Sequence, residues 1–364
     1  MQREALPRAA RLRAARARLL AARGCAGGPA EEVPASALPA ETLAALSELY
    51  GHGPPGRFLR GKHGITHFRL REPQASPQRA RIAVLSHGLG TEADIYEGPL
   101  VDGLVAAGWR VLSYDFLGHG WSVADETFIR YDKEKFLTQV QELLDHVLEP
   151  QEPVDLWVGH STGGLVGVLA ALTRTRPFRD LALISPALWA SKPFIARVMD
   201  HIAEFMHGLI SKYRFLRPLL ENGYQENNDN AFGKEGGKYL FPEKHLATRQ
   251  AITRKFKLHP QLLGGIAGIA SYFLKDGLMP EWQASAKELV GKGAESWAPR
   301  VILLWGKFDI VVPFSRAETF VSWAGSPGRV TLVPLHAGHE STVEIPQDIA
   351  REILKVATAP ASRL

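Results

Sequence analysis

The residues best suited to chemistry form the short run Gly159-His160-Ser161-Thr162-Gly163, which has the spacing G-x-S-x-G. A serine hydroxyl attacks a carbonyl carbon once a base has taken its proton, and that base needs a carboxylate to orient it. The run joins an apolar stretch typical of a strand to a helical pattern, and such a turn forces its central residue into a strained, exposed conformation. Gly159 and Gly163 would leave room for the turn. We therefore interpret Ser161 as a candidate nucleophile.

The partners of this serine are expected further along the chain, where Asp309 and His339 each follow a short apolar stretch. Because parallel strands end at the same edge of a sheet, these two side chains would converge with Ser161 at that edge. His336 is an alternative base, but Gly338 before His339 and the polar run after it favour His339. The three residues together predict nucleophilic catalysis of acyl transfer.

Acyl transfer also needs two preorganised N–H groups to bind the oxyanion of its tetrahedral intermediate. The backbone amide of Thr162, directly after the nucleophile, is the first candidate donor. The second is the amide of Leu89, which lies in a tight turn between Gly88 and Gly90 after another apolar stretch. We expect the side chain of His87 to bind loop backbone rather than to take part in the chemistry.

Short apolar stretches alternate with helical patterns over most of the chain, which is typical of a parallel sheet buried on both faces. Strands are predicted at 65–70, 82–85, 110–114, 154–158, 181–184, 300–304 and 329–333. Helices are predicted at 41–50, 132–148, 161–173, 313–324 and 346–358, and a further helix is predicted to end near residue 107. The predicted fold class is therefore α/β, with helices on both faces of the sheet.

The alternation also divides the chain into segments. Residues 57–186 and 299–364 form the predicted α/β core, and residues 187–298 interrupt it. Because apolar residues recur at helical spacing in this insertion, we predict a helical cap over one end of the sheet. Residues 29–56 are rich in proline, glycine and alanine, and we expect a linker with one short helix. Residues 1–28 form a leader rich in arginine and alanine.

This leader carries seven arginines and one acidic residue, so its charge of +6 exceeds the net charge of +5 of the whole chain. The rest of the chain is close to neutral, so no nucleic-acid partner is expected. The leader resembles a transit peptide of a mitochondrion or plastid, although it lacks serine. The chain ends in Ser362-Arg363-Leu364, close to the peroxisomal signal S-K-L. Mitochondrial, plastid, peroxisomal and cytoplasmic locations all stay open.

Several other kinds of site are not supported. The single cysteine, Cys25, allows neither an internal disulfide nor a thiolate zinc site. His201, Glu204 and His207 lie three apart but do not match H-E-x-x-H, so no metal is expected. No glycine-rich nucleotide motif occurs, and a serine route needs no cofactor. No apolar stretch has the length of a transmembrane helix, and the stretch 262–274 would at most contact a lipid surface.

Five motifs in a consistent order make residues 57–358 similar to the α/β-hydrolase superfamily. They are the serine turn, the aspartate and histidine loops, the turn 87–90, and the run 115–122, which has the superfamily's pattern Asp-x-x-Gly-His-Gly-x-Ser. The resemblance implies an eight-stranded, mostly parallel sheet, a Ser–His–Asp triad and a variable cap. Monoacylglycerol-lipase-like esterases and meta-cleavage-product C–C hydrolases are the nearest likenesses. Epoxide hydrolases and haloalkane dehalogenases carry aspartate where Ser161 stands, which argues against their chemistry.

The sequence thus predicts a serine hydrolase that cleaves carboxylic esters through an acyl-enzyme, with Ser161, His339 and Asp309 as its triad. The apolar pattern of the cap favours a small lipophilic ester as substrate. Two alternatives stay open. One keeps the triad but acts on a C–C, thioester or amide bond, or transfers the acyl group. The other is a non-catalytic receptor for a small ligand on the same fold. The sequence predicts no oligomeric state.

Overall fold

The computed structural model describes residues 30–74, 80–125, 131–187, 255, 259, 261–262, 278–291, 297–309, 311–326 and 328–357. The predicted leader, most of the predicted cap and the C-terminal tripeptide lie outside these residues. The same holds for Cys25, His201, Glu204 and His207.

The described strands form a single sheet of ten strands. In chain order they are β1 (Glu31–Val33), β2 (Arg57–Gly61), β3 (Gly64–Arg71), β4 (Ile82–Ser86), β5 (Arg110–Tyr114), β6 (Val123–Ala124), β7 (Val154–His160), β8 (Phe178–Ile184), β9 (Arg300–Gly306) and β10 (Val330–Leu335). Eight of these strands are five to eight residues long, in line with the expected eight-stranded sheet, whereas β1 has three residues and β6 has two.

The order across the sheet is β1-β2-β3-β5-β4-β7-β8-β9-β10, and β6 pairs with β3. The strands from β5 to β10 along this path are all parallel, whereas β1, β2, β3 and β5 pair antiparallel. Every residue of β4 and β7 is buried, because helices cover both faces of the sheet at its centre. The prediction of a mostly parallel α/β sheet is confirmed.

Eight α-helices surround the sheet in the described residues. They are α1 (Ala40–Tyr50), α2 (Pro99–Ala106), α3 (Lys133–Val147), α4 (Thr162–Thr173), α5 (Leu278–Val290), α6 (Ser315–Val321), α7 (Ser341–Glu344) and α8 (Pro346–Ala357). Successive residues of a strand point to opposite faces of the sheet. On one face, Trp157 of β7 packs in a core with α3, α4, α5 and α6. On the other face, Leu156 and Val158 pack in a second core with α2 and α8. The predicted helices on both faces are therefore present.

The stretch predicted as a linker is packed against the edge of the sheet. β1 pairs antiparallel with β2, and Leu38 and Leu46 share a small core with Phe58, Ile65 and Trp121. A three-residue strand is too short to produce a recognisable period, which is why composition alone suggested a linker.

Within the part of the chain that the structure covers, no helix has both the length and the apolarity to span a membrane.

Candidate active site

Ser161 lies at the turn between β7 and α4 with a φ of 49° and a ψ of −112°. Non-glycine residues rarely adopt a positive φ, so this backbone is strained. The N–H of Ser161 donates to the carbonyl of Ile184 at 2.9 Å, and its carbonyl accepts from the N–H of Ala187 at 3.0 Å. These bonds tie the turn to the end of the neighbouring strand β8 and so hold the strained conformation.

The glycines expected around this turn lie where side chains would collide. A Cβ on Gly159 would clash with the backbone of Gly163, and a Cβ on Gly163 would clash with the carbonyl of Ser86 at the end of β4. A Cβ on Gly88 would lie 2.7 Å from Nδ1 of His160. The turns after β4 and β7 are therefore in close backbone contact.

The structure brings His339 and Asp309 to Ser161 in one chain of hydrogen bonds. Nε2 of His339 lies 3.1 Å from Oγ of Ser161, and Nδ1 lies 2.8 Å from Oδ2 of Asp309. The other oxygen of Asp309 accepts from the N–H groups of Val311 at 2.9 Å and Val312 at 2.7 Å. All three side chains are buried, so the hydrogen bonds are shielded from water.

Electrostatics around His339 favour its protonated form. Burial by itself would lower the pKa of His339, but the charge and hydrogen bond of Asp309 outweigh it, with smaller contributions from Glu340 and Glu344, and the pKa is raised. An imidazole with a raised pKa is a stronger proton acceptor and holds the proton that it receives more firmly.

The alternative base, His336, lies elsewhere. It is exposed at the end of β10, and its ring makes an edge contact with the ring of Phe308 at a centroid distance of 4.8 Å. The structure thus places His339, and not His336, beside the serine.

Of the two predicted oxyanion donors, Thr162 directly follows the serine, and Leu89 follows Gly88, on which a Cβ would lie 3.3 Å from Cβ of Ser161. Thr162 is the first residue of α4, and the first amides of a helix have no intrahelical acceptor. Leu89 follows Gly88 in the turn after β4. This turn is closed by hydrogen bonds to the carbonyl of Gly88 from the Thr91 hydroxyl at 3.0 Å and from Nδ1 of His87 at 2.7 Å.

His87 holds this turn as a neutral side chain. Its Nε2 accepts from the N–H of Phe116 at 2.9 Å, so the proton resides on Nδ1, which donates to Gly88. Burial lowers the pKa of His87 to about 4. The side chain therefore links the turn after β4 to the loop after β5 through backbone groups, in line with the expectation from the sequence.

Asp115 joins three segments below the site. Its Oδ1 accepts from the N–H of Ala93 at 2.8 Å, and its Oδ2 accepts from the N–H of Trp121 at 2.9 Å and contacts Nδ1 of His67 at 2.8 Å. Burial would raise the pKa of Asp115, but His67 and the backbone donors lower it far below the ordinary value. Asp115, the first residue of the Asp-x-x-Gly-His-Gly-x-Ser run, thus has a structural role, because it holds these three segments together.

Parts of the insertion between β8 and β9 contact the same loops. Nε2 of His259 donates to the carbonyl of Gly120 at 2.7 Å. The side-chain amide of Gln261 accepts from the N–H of Ala124 at 2.9 Å and donates to its carbonyl at 3.1 Å. Leu262, the first residue of the apolar stretch 262–274, is buried. These hydrogen bonds join His259 to the loop after β5 and Gln261 to β6.

Two residues near the serine were not singled out by the sequence. Nε2 of His160 donates to the carbonyl of His339 at 2.9 Å, and Oε2 of Glu344 accepts from the N–H of Gly338 at 2.7 Å. Their signal in the sequence is weak, because His160 is marked only by its place next to Ser161, and Glu344 only by its place in the helix directly after the histidine loop.

Among the described residues, His160, His339 and Glu340 place metal-ligand atoms within 4.8 Å of one another. Both ring nitrogens of His339 already contact Ser161 and Asp309. A metal ion at this group would compete with those contacts, so the geometry favours the serine–histidine–aspartate chain.

The sheet, the strained serine turn and the loops at its edge define a protein of the α/β-hydrolase superfamily, in its serine hydrolase branch. The family described as serine aminopeptidase, S33, matches residues 77–345. The match spans most of the chain, and the chain belongs to this family.

Relatives with known names agree with that class. The chain is 32% identical to rat (Rattus norvegicus) monoglyceride lipase over 128 residues, which are 34% of this chain and 40% of the lipase. It is 31% identical to human (Homo sapiens) monoglyceride lipase over 128 residues, again 34% of this chain and 40% of the lipase. The match thus spans about two fifths of these relatives' length.

A solved structure has the same fold. The enol-lactonase of Burkholderia xenovorans LB400 superposes with a TM-score of 0.61 at 21% identity, over 83% of this chain and 100% of the lactonase. At this identity the likeness concerns the fold alone.

Proposed function

We propose that this protein hydrolyses carboxylic esters of a small lipophilic substrate through an acyl-enzyme intermediate. The observation that carries the proposal is the 3.1 Å contact between Nε2 of His339 and Oγ of Ser161, which lies on a strained turn at the carboxyl edge of the sheet. Asp309 completes a Ser–His–Asp triad. This arrangement is suited to a serine nucleophile with a general base and an orienting carboxylate.

In the first half of the reaction, Oγ of Ser161 attacks the ester carbonyl carbon while Nε2 of His339 takes the hydroxyl proton. The tetrahedral intermediate collapses, the bond between the carbonyl carbon and the alcohol oxygen breaks, and His339 gives the proton to the leaving alcohol. Asp309 keeps the proton of the neutral imidazole on Nδ1 and stabilises the imidazolium that forms.

In the second half, water attacks the acyl-enzyme and His339 takes one of the water's protons. The carboxylic acid leaves, and the proton returns to Ser161. The amides of Leu89 and Thr162 are the proposed donors to the oxyanion in both halves, because they flank the serine on the turns after β4 and β7. No step needs a cofactor.

The substrate class rests on the relatives and on the sequence of the insertion. The rat and human relatives are named monoglyceride lipases, and a monoglyceride is an ester of glycerol with one fatty acid. The insertion between β8 and β9 is apolar at helical spacing, which suits a pocket for an acyl chain.

The test is labelling of the full chain by a fluorophosphonate probe, together with hydrolysis of monoacylglycerols and of p-nitrophenyl esters of increasing acyl length. We expect the wild type to be labelled and to cleave esters, and Ser161→Ala to do neither. Ser322→Ala is the matched control, because that serine is exposed at the end of α6.

Three results would overturn the proposal. The first is labelling that persists in Ser161→Ala. The second is activity confined to thioesters, amides or 1,3-diketones, which would favour the alternative bond classes. The third is a folded wild type that is neither labelled nor active but binds a small ligand, which would favour the receptor.

A further inference from the structure

We propose that His160 and Glu344 are positioning residues that hold the backbone on the two sides of His339, so that its ring reaches Ser161 and Asp309 together. The inference rests on the proposed function, since it concerns how the base of that reaction is kept in place. Neither residue contacts the reacting atoms; each acts through the main chain of the histidine loop.

His160 binds the loop on the side that follows the histidine. A carbonyl oxygen accepts only from a donor, so the 2.9 Å contact with the His339 carbonyl places the proton of His160 on Nε2. Nδ1 of His160 is buried and has no hydrogen-bond partner among the described residues. Burial lowers the pKa of His160, which agrees with a neutral ring that has one donor and one unused acceptor.

His160 is itself firmly placed. Its N–H donates to the hydroxyl of Tyr96 at 3.0 Å, and this hydroxyl donates to the carbonyl of Ser86 at 2.8 Å. His160 also directly precedes Ser161 on β7. His160 therefore holds two backbone segments: the end of β7, which leads into the turn at Ser161, and the main chain at the carbonyl of His339. It thereby keeps the distance between these two segments constant.

Glu344 binds the loop on the side that precedes the histidine. Its Oε2 accepts from the N–H of Gly338 at 2.7 Å, and the contact is buried. A Cβ on Gly338 would lie 2.8 Å from Oε1 of the same carboxyl group, so the glycine lets the carboxyl group approach the backbone. Since Glu344 ends the short helix α7 directly after the loop, the bond folds the chain back onto itself.

The charge of Glu344 has a second effect. Its carboxyl group faces the N–H of Gly338 and the side chains of Glu340, His339 and Asp309. Burial and the neighbouring acids raise the pKa of Glu344 to about 7, although the Gly338 N–H and His339 oppose the shift. When ionised, Glu344 adds to the negative charge that raises the pKa of His339.

The test compares isosteric pairs by steady-state kinetics and by the rate of fluorophosphonate labelling. Glu344→Gln keeps an acceptor for Gly338 and removes the charge, whereas Glu344→Ala removes both. His160→Gln keeps a donor near the position of Nε2, whereas His160→Leu fills similar volume without one.

We expect His160→Leu and Glu344→Ala to lower kcat about 10–100-fold with little change in KM, since a misplaced reacting group costs about this much. The two glutamine variants should keep most of the wild-type kcat. Glu344→Gln should in addition move the acidic limb of the kcat/KM profile to lower pH, because a negative charge near His339 is lost.

Labelling that is as fast in His160→Leu and Glu344→Ala as in the wild type would overturn the inference while leaving the proposed function standing. A loss of kcat that is equal in the glutamine and apolar variants would also overturn it, because packing rather than the hydrogen bond would then be responsible. If the wild type itself is neither labelled nor active, the proposed function fails first. Thermal unfolding of each variant separates misplaced loops from unfolded protein.

Discussion

The imidazole of His160 donates a hydrogen bond to the carbonyl of His339, so the neighbour of the proposed nucleophile is bound to the proposed base across 2.9 Å. His160 is the last residue of β7, and His339 lies in the loop that follows β10. Two further strands, β8 and β9, lie between β7 and β10 in the sheet. Parallel strands bring such loops to one edge but do not set their separation to within a hydrogen bond. That separation is fixed here by a buried side chain.

The first prediction concerns the pH dependence of kcat/KM. His339 must be neutral to accept the serine proton, and its pKa is raised, chiefly because Asp309 outweighs the effect of burial. Activity should therefore increase as the pH rises through a midpoint above the ordinary value for histidine. The measurement is kcat/KM for one soluble ester from acidic to mildly alkaline pH. A midpoint below the ordinary value would contradict it.

The second prediction concerns Asp309→Asn. The oxygen facing Val311 and Val312 accepts two N–H groups, so the oxygen of an asparagine would stay on that side and its NH₂ would face His339. The imidazole would then have to accept at Nδ1 and carry its proton on Nε2, which is the wrong tautomer for a base. We expect kcat to fall about 10⁴-fold with a nearly unchanged KM.

Steady-state kinetics with the same ester give both constants for Asp309→Asn. Asp180→Asn is a control outside the site, since Asp180 pairs with Arg300 at the start of two strands. A loss of similar size in the control would show that the effect is not specific to the triad.

Much of the fold could be predicted because buried parallel strands produce distinct apolar stretches. β5 was predicted with its observed bounds, Arg110–Tyr114. β7 extends past the predicted end at residue 158, because Gly159 and His160 continue the pairing with β8 although neither is apolar. β2 was not predicted. Its adjacent residues Phe58 and Leu59 are both buried, one against α1 and the other in the main core, so the alternation typical of a strand is missing.

The arrangement of the site was predictable only in part. Ser161, Asp309 and His339 stand out because each follows an apolar stretch and has glycine or polar neighbours. Glu344 has no such signal, since its importance depends on α7 folding back until its carboxyl group meets the Gly338 N–H. Contacts between a side chain and a distant backbone group leave no period in the sequence.

The third prediction concerns Gly163→Ala. The added methyl group would clash with the carbonyl of Ser86 and lie 2.7 Å from the carbonyl of His87, and both are backbone groups that cannot turn aside. We expect a loss of unfolding free energy near the upper end of about 1–3 kcal/mol, with slower fluorophosphonate labelling as the turn shifts.

Urea denaturation measures the loss caused by Gly163→Ala, and Gly53→Ala is the matched control. A Cβ at Gly53 meets no atom within 4 Å, so that variant should stay within about 0.5 kcal/mol of the wild type. Equal stability of the two variants would show that the turn after β7 tolerates a side chain.

The fourth prediction concerns Asp115→Asn. Asp115 accepts the N–H of Ala93 on one oxygen and the N–H of Trp121 on the other, so in either orientation an asparagine NH₂ would face a backbone donor. We expect a loss of about 3–5 kcal/mol of unfolding free energy at neutral pH.

Because the pKa of Asp115 is lowered by folding, its contribution to stability is complete above the ordinary pKa of aspartate and is lost as the pH falls. The gap between wild type and variant should therefore shrink in acid, as urea denaturation at several pH values would measure. Asp102→Asn, at an exposed position on α2, should show almost no gap at any pH, and a gap for Asp115→Asn that widened in acid would contradict the assignment.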